Sequence, residues 1–111
     1  NLPVLAAMRA ALALVVRSDL PDLTSRQLAL LLTVFMAPGP HRVRDLAAAL
    51  ALPKPAVVRA LDRLEELGFV KRRRDSDDRR SVEVHRRTKG AAFLSDLAEI
   101  HRAAGSQFSA G

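Results

Sequence analysis

The sequence predicts a mainly α fold carrying a small β-hairpin, and three observations predict it. Apolar residues recur at helical spacing through most of the chain. Proline and glycine clusters interrupt that pattern at short intervals. Only residues 69–87 depart from it, with one β-prone run and one strictly alternating run.

The first helix is expected over residues 1–18. From Leu2 to Arg17 almost every residue is apolar, and Ala, Leu and Met favour helix. A helix apolar around most of its circumference must be covered on most sides. A chain of 111 residues, read as one domain, can hardly wrap it alone. A second copy of the chain is the expected cover, which makes this an N-terminal dimerisation helix. Ser18-Asp19-Leu20-Pro21-Asp22 then breaks the pattern.

Thr24 and Gln27 form a T-x-x-Q capping box that opens a second helix. Leu28, Leu31, Leu32 and Phe35 recur along it, and Ala37-Pro38-Gly39-Pro40 stops it. A shorter helix follows at about Val43 to Leu50, with Val43, Leu46, Ala47 and Leu50 on one face. Leu52-Pro53-Lys54-Pro55 is a tight connection, and Pro55 suits the first turn of a helix. That helix, about 54–67, is closed by Gly68 as a left-handed cap. Val57, Leu61, Leu64 and Leu67 point inward, while Lys54, Ala56, Val58, Arg59, Asp62 and Arg63 take the free face.

Two helices joined by a few residues, the second basic on its free face, have helix-turn-helix spacing. Phe69 to Arg73 is β-prone, and Ser81-Val82-Glu83-Val84-His85 alternates strictly, so Arg74 to Arg80 is a hairpin tip. A helix-turn-helix followed by a hairpin is a winged helix-turn-helix domain, expected over 23–90 with its wing at about 69–87. Thr88 can cap a last helix, 88–104, whose apolar set is Phe93 or Leu94, Leu97, Ile100 and Ala104. It is expected to join the dimer interface, and 105–111 to be a flexible tail.

Composition narrows the function. A hydrophobic content of 49% is too high for a disordered tail. The greasiest run, Ala10 to Val16, is bracketed by Arg9 and Arg17 and is too short to span a bilayer. No signal peptide or lipidation motif is visible, and a cytoplasmic location, with no membrane partner, is the expected default. Without cysteine there are no disulfides, thiolate metal sites or thiol sensors. His41, His85 and His101 form no spaced metal set, so no metal site is expected. Ser18, Ser25 and Ser76 lack companions for nucleophilic catalysis, and there is no glycine-rich phosphate loop. Neither a catalytic residue nor a cofactor is assigned, and no enzyme is expected.

Charge is more telling. Lys71 to Lys89 hold nine cations against four anions, nearly all of the chain's net +6. A localised basic strip suggests a polyanion, nucleic acid ahead of membrane; a solvated charged loop is the bland alternative.

The ordered motifs LTSRQLALLLTVFMAPG, VRDLAAALALPKPAVVRALDRLEELGFVKRRRD and DSDDRRSVEVHRRTKG resemble the MarR (multiple antibiotic resistance regulator) family of bacterial transcription factors over about Leu23 to Leu97. The family's aspartate-x-arginine wing pattern falls on Asp78-Arg79-Arg80, and its Thr-x-x-Gly opening of the last helix is approximated by Thr88-Lys89-Gly90. The resemblance implies a homodimer interleaved through first and last helices. It implies double-stranded DNA as partner, with the recognition helix in the major groove and the wing in the flanking minor groove. It also implies that Asp78 helps to hold the wing arginine. Two departures matter: Pro53, Lys54, Pro55 and Ala56 stand where many members have polar capping residues, and the last helix is short.

The candidate DNA-binding residues are therefore Arg44, Lys54, Pro55, Ala56, Val58, Arg59, Arg63, Arg72, Arg74, Asp78, Arg79 and Arg80. Arg59 and Arg63 share a helix face and can fork onto guanine or phosphate; a surface pair of Arg63 with Glu66 or Asp62 is the plain alternative. Pro55, Ala56 and Val58 offer only apolar contact, such as to thymine methyls, so specificity is expected to lean on DNA shape. Arg44, Lys54, Lys71, Arg72, Arg73 and Arg74 are expected on phosphates, although strand neighbours alternate sides and only some can reach, while the held wing arginine is expected in a narrow minor groove. Arg86, Arg87 and Lys89 read as surface or interface charge. The family often takes small aromatic acids or phenols as effectors, but with four Phe and no Tyr or Trp no effector site is assigned.

A promoter-occluding, nucleoid-associated repressor on a pseudopalindromic operator is the expected function. A sequence-neutral architectural DNA binder and a winged-helix protein-interaction module are the alternatives.

Overall fold

The computed structural model describes residues 1–109, with side chains through residue 106. In chain order its elements are α1 (Leu2–Arg17), α2 (Ser25–Met36), β1 (His41–Arg42), α3 (Val43–Leu50), α4 (Lys54–Glu66), β2 (Val70–Arg74), β3 (Val82–Arg86) and α5 (Thr88–Ser109). The single domain expected from length divides into two compact units, Leu23–Ala91 and Asn1–Asp22 with the segment from Ala92 onward. Buried apolar side chains concentrate in the first of these.

In Leu23–Ala91, the Thr24 hydroxyl accepts from the Gln27 N–H at 3.1 Å and the Gln27 side chain accepts from the Thr24 N–H at 2.9 Å. Four donors at a helix start lack internal partners, and this box satisfies two of them. Its apolar phase differs from expectation: Leu30, Leu31 and Val34 are buried, while Leu32 is 39% exposed. SRQLALLLTVFM is apolar on nearly every side, so its periodicity alone does not fix which face turns inward.

Helices α3 and α4 end by the same device. Phe69 N–H donates to the Leu64 carbonyl and Gly68 N–H to that of Glu65, a Schellman closure with Gly68 at φ 81°. At α3, Leu52 N–H donates to Ala47 and Ala51 N–H to Ala48, but the left-handed position, φ 52°, is held by Ala51. An alanine there meets a Cβ clash that glycine lacks. The closure sets the turn between the two helices of the helix-turn-helix.

From α4 the buried Val57, Ala60, Leu61 and Leu64 join Val43 and Leu46 of α3 in the core. Each fully buried Leu or Val contributes about 1.5–3 kcal/mol. Ala56, expected on the free face, is only 5% exposed and belongs to the core side. It lies four residues before Ala60 on the same helix stripe, which is buried with it.

The wing is a three-stranded antiparallel sheet in the order β1-β3-β2. Arg72 pairs with Val84 and Val70 with Arg86; His41 of β1 pairs with Val84. The two-residue β1 has no sequence signal of its own, which is why the sequence predicts no strand there. Strands β2 and β3 start one residue later than expected.

At the wing base, the Phe69 carbonyl accepts from Arg87 N–H at 3.1 Å. A Cβ added at Gly90 would fall 2.5 Å from that carbonyl oxygen and 2.8 Å from Phe35 Cζ. Only glycine fits this approach.

In the other unit, the Asn1 side chain accepts from Val4 N–H at the start of α1. Ala11 is the one buried residue of α1, whereas Leu2, Leu5, Met8, Leu12 and Val16 form an exposed stripe at three- and four-residue spacing. In α5 Phe93, Leu97 and Ala104 are buried. This helix continues to Ser109, past the end expected at residue 104. Gly105 lowers helix propensity without breaking the helix. Of the expected flexible tail, 110–111 lie outside the described residues.

The two special positions respond oppositely to substitution. Ala51→Gly is expected to stabilise the chain by about 0.5–1 kcal/mol, by relieving the left-handed alanine. Gly90→Ala is expected to destabilise it by about 1–3 kcal/mol through overpacking. Urea unfolding of both variants against the unaltered chain checks the contrast.

Candidate nucleic-acid interface

The tip of the wing, residues 75–81, is organised by two aspartates. Asp75 Oδ1 accepts from Asp77 N–H at 2.9 Å, while the Asp75 N–H donates to the Ser81 carbonyl at 2.9 Å. Asp78 Oδ1 accepts from Arg80 N–H at 3.0 Å, and its Oδ2 accepts from the Ser81 hydroxyl at 3.1 Å. Ser81 N–H also donates to the Asp78 carbonyl. Ser81 is 4% exposed, so its hydroxyl needs that partner. The acids thus absorb backbone donors of a tight turn. Asp78 holds the Arg80 backbone; no bond joins it to the Arg80 guanidinium. Arg74 adds a strut, its Nη1 donating to the Arg79 carbonyl at 3.0 Å. The side chains of Arg79 and Arg80 are exposed and make no ion pair among the described residues.

At the start of α4 the cap is Pro53, with no side-chain hydrogen bond to the first N–H groups. Pro55 occupies the first turn, and Lys54, Pro55 and Arg59 are exposed, with Val58 half-buried. Helix α4, the wing and the β1–α3 junction together line a partly open hollow of about 130 Å³. Val43, Val58 and Val82 supply its apolar lining; Arg42, Arg44, Lys54, Arg72 and Arg80 bring cations to it. Arg44 and Lys54, expected on phosphates, and Arg80, expected in the minor groove, therefore converge from three separate segments on one hollow.

Other expected residues lie elsewhere. Ala56 is buried and cannot touch a ligand on the free face. Arg63 has taken the plain alternative, pairing with Glu66 at 3.0 Å on the surface of α4. Such an exposed pair contributes little and can be exchanged for another anion. Arg72 is engaged inside the domain: Nε donates to Glu65 Oε1 at 2.9 Å and Nη2 to Asp62 Oδ1 at 2.5 Å. Burial opposes its charge, but the bonds to Glu65 and Asp62 outweigh that and hold its pKa above the ordinary arginine value.

Two scaffold arginines escaped sequence reasoning. Arg42 Nη2 bonds Asp75 Oδ2 at 3.3 Å, linking β1 to the wing tip. Arg86 donates from Nε to the Val34 carbonyl at 2.8 Å and from Nη2 to that of Ala37 at 3.3 Å. Its guanidinium also lies 5.9 Å from the centre of the Phe35 ring. A cation on the last carbonyls of α2 suits the helix dipole. The α2 C-terminus has no basic residue of its own, the one hint that a distant cation was needed.

Among the described residues no cluster of three His, Cys, Asp or Glu could hold a metal ion. No described helix is long and apolar enough to cross a membrane.

Helix-turn-helix, three-stranded sheet and basic wing define a winged helix-turn-helix protein. The sequence profile of the MarR family matches residues 11–81, and the chain belongs to that family of transcriptional regulators, which are not enzymes. It is 35% identical over 63 residues to the HTH-type transcriptional regulator YkoM of Bacillus subtilis (strain 168), covering 57% of this chain and 41% of YkoM. The transcriptional regulator BldR from Sulfolobus solfataricus is 32% identical with a TM-score of 0.63, over 73% of this chain and 57% of BldR. Reduced AbfR, in a structure bound to DNA, is 26% identical with a TM-score of 0.66, over 73% and 58% of the two chains. The chain thus spans roughly half the length of these relatives.

Removing the Asp78 carboxylate leaves the Ser81 hydroxyl and the Arg80 N–H without their acceptor. Asp78→Ala is therefore expected to cost about 1 kcal/mol of stability. Faster hydrogen exchange at the Arg80 amide, with unchanged exchange in α2, is the accompanying signature.

Proposed function

We propose that the chain binds double-stranded DNA as a homodimer and represses transcription by occluding a promoter. The observation that carries this is the convergence of Arg44, Lys54 and Arg80 on the hollow between α4 and the wing. Cations from three segments, with exposed Arg59 and Arg79 beside them in sequence, make a surface suited to a phosphate backbone. AbfR, bound to DNA in its structure, lends support by likeness. The exposed apolar stripe of α1 supports the dimer, since a monomer would leave it in water.

On a pseudopalindromic duplex the two copies of α4 enter major grooves roughly 34 Å apart, and the wings reach the flanking minor grooves. The first N–H groups of α4, which no side chain caps, face an anion favourably. Pro55 and Val58 give coarse apolar readout, and Arg59 supplies the one forked donor not already paired on the free face of α4. That thin base-reading set favours a second reading, a sequence-neutral architectural binder. Comparing affinity for a selected duplex with that for random duplex separates the two. A cytoplasmic, nucleoid-associated location follows from either.

If Arg44, Lys54, Arg79 and Arg80 of each protomer neutralise one phosphate apiece, log affinity falls against log salt with a slope of about −7. A gel-shift series at rising salt measures it, and a flat response rejects DNA binding.

Asp78→Ala is expected to weaken binding although it removes a negative charge, because the wing loses the turn that aims Arg80. Titration by fluorescence anisotropy gives the sign. Tighter binding would mean that the acids merely dilute the basic strip.

A further inference from the structure

We propose that Arg72 is a positioning residue that braces the wing against the recognition helix and makes no contact with DNA itself. This rests on the DNA-binding reading above. Strand alternation puts Arg72 on the same side of β2 as the buried Val70, and half-buried, while Lys71 and Arg73 face solvent. Asp62 and Glu65 lie three residues apart, so they share one face of α4. The guanidinium spans both, with separate nitrogens on separate carboxylates. The Arg72 backbone N–H also points to Glu65 Oε1, at 3.3 Å. Side chain and main chain of one strand residue are thus tied to one helix.

The charge of this trio argues against the alternative role. Two carboxylates and one guanidinium sum to one negative charge, which repels a phosphate. An arginine with 24% of its side chain exposed and its fork engaged has little left to offer one. A planar fork suits the bridging task, whereas a lysine acts as a point charge.

The opposite edge of the sheet carries a second brace. Arg42, at the end of β1 and immediately before α3, reaches across to Asp75 at the wing tip. The wing is therefore tied on one side to α4 and on the other to the start of α3. A recognition helix and a wing that must enter two grooves together bind with less ordering if their separation is set beforehand.

The sign of an acid-removing substitution separates bracing from contact. The probe is a duplex selected from a random library by the unaltered chain. Its affinity, its salt slope and its hydroxyl-radical footprint are measured for Glu65→Gln, Asp62→Asn, Arg72→Lys and Arg72→Ala, with thermal unfolding of each as the check on folding. Bracing predicts that Glu65→Gln and Asp62→Asn each weaken binding by roughly threefold to tenfold. Flanking minor-groove protection is lost while major-groove protection stays, and the salt slope becomes shallower as Arg79 and Arg80 of the wing leave their phosphates. Arg72→Lys then behaves like Arg72→Ala, because the fork is lost in both.

Phosphate contact predicts the reverse. Glu65→Gln binds more tightly, Arg72→Lys behaves like the unaltered chain, and Arg72→Ala reduces the slope by about two for a dimer. Either that pattern or unchanged footprints in all four variants overturns the proposal. If the unaltered chain selects no duplex, or binds without salt dependence, the DNA-binding reading itself fails and takes this one with it.

Discussion

The backbone of Phe69 is where α4, both long wing strands and the start of α5 meet. Its N–H completes the closure of α4 on the Leu64 carbonyl, and its own carbonyl receives Arg87 N–H at the foot of β3. The same oxygen lies where any side chain at Gly90 would have to go. The backbone of one residue thus ties together the end of α4, the start of one wing strand, the end of the other and the first turn of α5. Backbone polar groups in a buried place must be paired, and Phe69 is 2% exposed. Moving any one of these elements would unpair a bond belonging to another. The angle between helix and wing is consequently a property of the junction, and the braces further out refine it.

Sequence made some of this legible and hid the rest for identifiable reasons. Local rules carried the capping box at Thr24 and Gln27, the glycine closure at Gly68 and the limits of α3, since each depends on residues a few positions apart. Phase along a helix was legible only where polar residues mark the outer face. Val57, Leu61 and Leu64 were found that way, whereas α2 has too few polar residues to show that Leu32 stays exposed. Ala56 was misplaced because a small side chain fits either face. The bonds of Arg42, Arg72 and Arg86 span 33, 7 and 52 residues, and no spacing rule anticipates such partners. Ala51 carried no sign either, because its strain comes from the turn between α3 and α4.

Those long-range bonds divide the cations by task. Arg42, Arg72 and Arg86 are consumed by carboxylates or helix carbonyls, and Arg74 by the carbonyl of Arg79. Arg44, Lys54, Arg59, Arg79 and Arg80 keep exposed side chains. The acids of KRRRDSDDRR sort the same way. Asp75 and Asp78 accept from turn N–H groups, so their charge is spent within the tip. An interrupted basic run is what a rigid basic hairpin requires, because a turn of this tightness needs acceptors that arginine cannot supply.

Rigidity bears on how such a surface would discriminate among sequences. Pro55 and Val58 offer no side-chain hydrogen bonds, and Arg63 is paired with Glu66, so few base edges are open to direct reading. A protein short of direct contacts can still discriminate through the energy of bending or narrowing the duplex. That mechanism demands a stiff gauge: a compliant wing would adjust to any groove and register no difference between sequences. Two arginine braces and the shared backbone of Phe69 at the wing base give the proposed interface that stiffness. On the DNA-binding reading, the bonds that hold Arg42 and Arg72 within the domain contribute to specificity through the geometry they set.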